Sequence, residues 1–231
     1  MTNAIETKNL VKSFKDGLVE TRVLKGVDFT VGKGQFVAIM GRSGAGKSTL
    51  LYQLSLLDDP TSGEIRVNGK EAHTMSEREK MFFRLAEFGY VFQDYALLPE
   101  LSAIENVALP LLMQGVTKDA AYEKAAGALH KVGLGKRLHN LPSQLSGGEQ
   151  QRVSISRAIA HEPDILFADE PTANLDLESS ATVMNIFRDL HRAGQTIIMV
   201  THEEEFAKFA ERVVKLDEGK ILADILQSPT P

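Results

Sequence analysis

Two stretches near the start of the chain, Ile5 to Phe14 and Thr21 to Val31, alternate apolar and polar residues with the period of half-buried strands. Gln35 to Met40 (QFVAIM) is almost wholly apolar and predicts a buried strand that runs straight into a glycine-rich loop. Lys47 to Leu57 predicts a helix that stops at Asp58-Asp59-Pro60, where proline cannot continue it. Thr61-Ser62-Gly63 then turns into a strand over Glu64 to Val67, and Asn68-Gly69 marks a hairpin. From about Gln93 to His161 the period becomes helical. Ala121, Ala125, Leu129 and Val132 recur at helix spacing, and Gly133 and Gly135 interrupt them. Asp164 to Ala168 and Thr196 to Thr201 read as buried parallel strands, separated by a helix from about Leu177 to Ala193. Only the end, QSPTP, reads as a loose tail. The pattern predicts an α/β core over residues 1–92 and 162–231 with an N-terminal β layer, and a helical insert over 93–161.

Composition narrows the classes. At 231 residues, with 43% hydrophobic and 25% charged residues, the chain is that of an ordinary globular α/β domain. A formal net charge of -5 weighs against sequence-independent binding to nucleic acid, and none is expected as a partner. Cysteine is absent, which removes disulfides and thiolate metal sites and points to a reducing compartment. The start, MTNAIETKNL, lacks the basic and apolar regions of a signal peptide, and no apolar run approaches the roughly 20 residues that span a bilayer.

The glycine loop carries the strongest chemistry. Gly41, Arg42, Ser43, Gly44, Ala45, Gly46, Lys47 and Ser48 fit G-x-x-x-x-G-K-[ST], with Thr49 next. Its glycines let successive N–H groups turn inward on phosphate oxygens, and the helix opening at Lys47 adds its positive end. Lys47 brings a charge to the β- and γ-phosphates, and the Ser48 hydroxyl is a hard ligand suited to Mg²⁺. Asp169 and Glu170 end the strand Ile165-Leu166-Phe167-Ala168, and ligands of open parallel sheets sit beyond such carboxyl ends. Asp169 suits the support of Mg²⁺ through water, and Glu170 the polarisation of an attacking water. His202, after the strand TIIMVT, reaches a sheet edge where a neutral imidazole can hydrogen-bond a phosphate; a plain surface histidine is the alternative.

Ser146-Gly147-Gly148-Glu149 has two compatible readings. S-x-x-E is a capping box for the helix that follows. Two glycines in a first turn weaken a helix by up to about 1 kcal/mol each, and their use is close approach of bare N–H groups to an anion. One nucleotide does not need both this site and the glycine loop from a single copy. A head-to-tail homodimer resolves the redundancy, each copy giving its loop to one nucleotide and its Ser-Gly-Gly turn to the other.

With LSGGEQ (Leu145 to Gln150) between the glycine loop and ILFADE (Ile165 to Glu170), the chain resembles the nucleotide-binding subunits of ATP-binding-cassette (ABC) transporters from about Ile5 to Ala223. The resemblance implies a P-loop NTPase (RecA-like) α/β core with an antiparallel β layer and a helical subdomain, with ATP and Mg²⁺ bound. It assigns Gly41 to Ser48 to the phosphate loop, and Ser146, Gly147 and Gly148 to the partner's γ-phosphate. It assigns Asp169 to metal support, Glu170 to catalysis and His202 to the γ-phosphate. Gln93 is implied to contact Mg²⁺ and report to the membrane partner; by its residue type alone it is a solvated loop amide. Asn174-Leu175-Asp176 is implied to cross the dimer seam, while Asp176 is also a plausible helix N-cap. Phe14 is either the aromatic that stacks on adenine or a core phenylalanine.

KDGLVETRVLKGVDF, LSLLDDPTSGEI and ENVALPLLMQG resemble the branch serving lipoprotein release, macrolide export and cell-division signalling, and nothing after Ala223 is long enough for a regulatory domain. Such subunits lie peripherally on the cytoplasmic face of the plasma membrane and drive an integral permease. Tyr95 to Leu101 (YALLPEL), apolar for a loop, either lines the groove that accepts a permease helix or folds into the helical lobe. Two rivals have little support. A P-loop kinase or GTPase has no use for LSGGEQ, and soluble ABC ATPases of DNA or ribosomes commonly carry two cassettes or a coiled-coil insertion.

Overall fold

The alternation over the first thirty residues becomes a long antiparallel hairpin of β1 (Asn3–Asp16) and β2 (Val19–Gly32). Most of its apolar positions, among them Ile5, Leu10, Leu24, Val27, Phe29 and Val31, are buried, as one face of a pleated sheet requires. The computed structural model describes residues 3–17 and 19–227. Its contacts divide the chain into two compact units, residues 1–82 with 191–231, and residues 83–190.

In the first unit, β4 (Ser62–Val67) pairs antiparallel with β1 and turns through Asn68 and Gly69 into β5 (Lys70–Glu71). Both turn residues have positive φ, 49° and 78°, which makes Asn-Gly the natural pair for this hairpin. A second sheet centres on β3 (Phe36–Met40), wholly buried and parallel to both β8 (Thr196–Val200) and β9 (Arg212–Asp217). Strand β10 (Lys220–Leu226) adds an antiparallel edge to β9 after a turn at Glu218 and Gly219. The sequence pattern had not marked β9 and β10.

Helix α1 (Lys47–Leu54) ends three residues before the expected Leu57. Leu56 takes φ 56° and the Leu57 N–H bonds back to the Tyr52 carbonyl at 2.9 Å. A left-handed residue therefore closes the helix before the proline is reached. The short α7 (Glu204–Ala207) follows β8. Gln227, first residue of the expected loose tail, is tied down: its side chain donates to the Ala207 and Ala210 carbonyls, both at 2.8 Å. Ser228 to Pro231 lie outside the described residues.

Helix α2 (Glu77–Glu87), of which residues 83–87 belong to the second unit, leads into β6 (Phe88–Val91), parallel to β7 (Ile165–Asp169). Neither α2 nor β6 was expected. Three helices, α3 (Ala103–Met113), α4 (Lys118–Lys131) and α5 (Gly147–Ile159), share one apolar core. The stripe of Ala121, Ala125 and Leu129 shares this core with Val107, Leu111 and Val153. Gln93 to Leu101 is loop, as its reading as an apolar loop expected, and Ser102 and Glu105 form a capping box that starts α3 at Ala103. Helix α6 (Leu177–Arg192) closes the unit. Among the described residues, no helix is long and apolar enough to cross a membrane.

Candidate functional site

In the first unit, the glycine loop leaves β3 at Met40. Arg42, Ser43 and Gly44 are exposed, while Ala45, Gly46 and Lys47 are buried. Gly46 takes φ 98° and packs on β2, where a Cβ would come within 3.2 Å of Leu24 and 3.3 Å of Val23. Glycine is needed there both for the backbone angle and for the close approach. Gly46 is also the N-cap of α1 and makes no side-chain cap bond, and the helix's first turn, with Ser48 and Thr49, holds no acid. These are the conditions under which a helix start attracts an anion. The Lys47 ammonium donates to the Arg42 carbonyl at 3.1 Å, so the cation folds over the loop.

His202 belongs to the same edge. In the parallel pairing of β3 with β8, Ile39 lies opposite Val200, and the Thr201 N–H bonds to the Ile39 carbonyl at 3.1 Å. Gly41 and His202 thus emerge side by side from the carboxyl ends of neighbouring strands, and His202 is exposed. Phe14 is no core residue. It is 48% exposed, opposite Thr21 near the turn of the hairpin, with the Lys12 ammonium 5.1 Å from its ring centre. A ring near the turn of a two-stranded ribbon has no second layer to bury it.

In the second unit, the same geometry repeats. Val91 lies opposite Ala168 in the parallel pair β6–β7, so Gln93 and the Asp169-Glu170 pair leave one sheet edge together. Asp169 is buried, 6% exposed. Glu170 is partly buried with φ 43°, a left-handed angle uncommon for a residue with a side chain. Such a backbone bends the chain where the strand ends. Gln93 is exposed, and its carbonyl accepts from the Asn174 amide at 3.2 Å.

The Ser-Gly-Gly turn opens α5 as a full capping box. Ser146 Oγ accepts from the Glu149 N–H at 3.2 Å, and Glu149 Oε2 accepts from the Ser146 N–H at 2.9 Å. That backbone bond holds the Glu149 carboxyl below the usual range, with Arg137, at 3.1 Å, adding to the effect. Gly148 sits so close to α6 that a Cβ would lie 2.6 Å from Ser179 Oγ. Asp176 caps α6, accepting from the Ser179 N–H at 2.8 Å and its hydroxyl at 2.9 Å, and these bonds lower its pKa. The capping reading of Asp176 therefore holds, and it is compatible with a second role for the loop. The pattern passed over Gln151, which is wholly buried and donates to the Pro171 carbonyl at 2.8 Å. It ties α5 to the turn after Glu170; a polar residue on a buried helix face is the signal that marks it.

Known proteins resemble this chain along nearly all its length. A family model described as ABC transporter matches residues 24–173. The chain is 48% identical over 218 residues to an ABC transporter ATP-binding protein of Methanocaldococcus jannaschii, covering 94% of this chain and 97% of that one. It is 48% identical over 203 residues to the lipoprotein-releasing system ATP-binding protein LolD of Aquifex aeolicus, covering 88% and 91%. Against the macrolide export ATP-binding/permease protein MacB of Chlorobaculum tepidum it is 47% identical over 220 residues, 95% of this chain but 34% of that protein. Among solved structures, the dimeric post-hydrolysis state of the ATP-binding cassette MJ0796 bound to ADP and Pi aligns with a TM-score of 0.91 at 35% identity, over 98% of this chain and 100% of that one.

Proposed function

Since the chain belongs to the ABC transporter family, as an ATP-binding subunit whose ATP hydrolysis drives transport, we propose that two copies sandwich two ATP molecules head to tail. Each copy holds one triphosphate on Gly41 to Ser48 and clamps the other's γ-phosphate with Ser146, Gly147 and Gly148. The observation that carries this reading is the doubled anion-binding design. Two helix starts are built around glycine, one in each compact unit: α1 opens behind a Gly46 N-cap that has no side chain, and α5 opens with Gly147 and Gly148 behind the Ser146 cap. The dimeric cassette similar to this chain, with ADP and Pi bound, supports it.

The remaining roles follow from chemistry and family membership. Ser48, Gln93 and Asp169 offer a hydroxyl, an amide oxygen and a carboxylate, an all-oxygen donor set that fits Mg²⁺. The ion supplies charge neutralisation at the phosphates when bound. Glu170 orients and polarises the attacking water as general base, and His202 hydrogen-bonds the γ-phosphate. Phe14 stacks on adenine with the ring face that Lys12 leaves, and a ring without a hydroxyl gives only loose base discrimination. Asn174 to Asp176 lies at the seam between copies.

Closure is favoured only while the γ-phosphate bridges the copies, so hydrolysis reverses it. A full switch takes about 5.5 kcal/mol of differential binding, within reach of charge-assisted bonds to two shared phosphates. The motion drives an integral membrane permease at the cytoplasmic face of the plasma membrane, in the lipoprotein-release and macrolide-export branch. The 42% exposure of Leu98, in the loop after Gln93, supports a docking site for that permease on this loop. Lys47→Ala tests the nucleotide site: calorimetry is expected to show ATP binding weakened at least tenfold. Wild-type affinity in that variant would contradict the phosphate-loop assignment.

A further inference from the structure

Tyr95 and Ala96, just after Gln93, have φ 59° and 49°. Two consecutive residues bearing side chains thus occupy the left-handed region, which L-residues enter at a cost. Arg157, about three turns along α5 from Gly147, holds this bend. Its Nη1 donates to the Ala96 carbonyl at 2.6 Å and its Nη2 to the Tyr95 carbonyl at 2.9 Å. The planar fork of guanidinium matches two adjacent acceptors in a way a lysine ammonium does not.

The bend aims the Tyr95 phenol at two other motifs. Its hydroxyl donates to the Asn174 carbonyl at 3.4 Å. A Cβ on Gly147 would lie 3.0 Å from the phenol oxygen. Asn174 in turn donates to the Gln93 carbonyl at 3.2 Å and to Asp94 at 3.4 Å. Burial and the charge of Asp94 raise the phenol's pKa, so it stays protonated as a donor at neutral pH. One side chain therefore touches the Gln93 loop, the start of α5 and the loop before α6.

We propose that Arg157 is a positioning residue: by forking onto the Tyr95 and Ala96 carbonyls it sets the Tyr95 phenol against Gly147 and Asn174, so that the Gln93 loop and the Ser146–Gly148 turn move as one piece. This rests on the reading that the Ser146–Gly148 turn clamps a second copy's nucleotide. A displacement of the Gln93 loop by a membrane partner then reaches the dimer seam through Tyr95. Gly147 is glycine partly to admit the phenol, and not only to admit a phosphate.

The test compares Arg157→Lys, Arg157→Met and Tyr95→Phe in the full chain. ATP affinity by calorimetry is expected to stay within about twofold, because these changes leave the phosphate loop untouched. In a Glu170→Gln background, ATP-dependent dimerisation weakens about tenfold for both Arg157 variants and about threefold for Tyr95→Phe, as losing charged and neutral hydrogen bonds respectively implies. In the chain with Glu170 intact, kcat falls while KM for ATP holds. Hydrogen exchange in the nucleotide-free chain rises over residues 93–97, 146–150 and 172–176 and stays level in α3 and α4. Tyr95→Phe partly restores the dimerisation that Gly147→Ala loses. An Arg157→Lys chain that dimerises and exchanges like its parent overturns the proposal. Should the Glu170→Gln parent itself fail to dimerise with ATP, the sandwich reading falls, and the exchange pattern alone decides the role of Arg157.

Discussion

Ser146 has two duties that a single substitution separates. Its hydroxyl caps α5, and the sandwich reading also points it at a phosphate of the second copy. Ser146→Ala is expected to lose both, with about 1 kcal/mol of stability gone with the cap. Ser146→Asp keeps a good N-cap but brings a negative charge to the phosphate. Urea unfolding should find Ser146→Asp near wild type, while ATP-dependent dimerisation is abolished. A Ser146→Asp chain that still dimerises would remove Ser146 from the seam. Glu149 gives a second expectation at this scale. Its folded pKa is depressed by the Ser146 N–H and then Arg137, so its stabilisation is full above the usual carboxylate pKa and is lost as pH falls through the lowered value. Glu149→Gln should be less stable than wild type at pH 7, and the gap in urea midpoint should close toward pH 3. An equal gap at both pH values would show that the carboxylate's charge is not what stabilises the turn.

At the scale of elements, the segment between β6 and α3 shows how a loop is fixed without regular structure. Asn106, wholly buried on α3, accepts from the Leu98 N–H at 2.8 Å and donates to the carbonyls of Leu98, Leu101 and Ser102. Asn106→Leu strands these groups, at roughly 1–3 kcal/mol for each that stays buried and unsatisfied, and a drop of about 2 kcal/mol or more is expected by urea unfolding. Leu98→Glu touches only the exposed side of the same loop. Stability is expected within about 0.5 kcal/mol of wild type, with loss of association with a co-expressed membrane partner. Retained association would place the groove elsewhere.

These elements also show what the sequence discloses. β1, β2, β3, β7 and β8 were legible because burial on one or both faces writes its period directly into residue type. The glycine loop and the capping box were legible because their chemistry is contiguous. Helix α2 was not: EREKMFFRLAE leaves Met81 and Phe82 45% and 49% exposed, so its apolar residues do not trace one buried stripe. β6 is four residues long, too short for a period to register. The hairpin β9–β10 hides because much of β10 is exposed, Leu222 and Leu226 included. Among site residues, Phe14 stayed ambiguous because stacking on a ligand and packing in a core call for the same ring. The link from Arg157 to Tyr95 depends on residues far apart in sequence and on backbone angles that composition does not encode.

For the whole molecule, the proposed work cycle lies between copies rather than within one. A net charge of -5 on each chain opposes association over long range. Closing two copies therefore needs a ligand that both touch, and ATP has that property while its γ-phosphate lasts. ADP, with the bridging group gone, is expected to leave the copies apart. Sedimentation of the Glu170→Gln chain measures this most directly, since it keeps the nucleotide site while slowing hydrolysis. With saturating Mg-ATP the chain should sediment at twice its 25.4 kDa mass, and with Mg-ADP at the mass of one copy. A single-copy mass at ATP concentrations where calorimetry shows the site filled would contradict the sandwich.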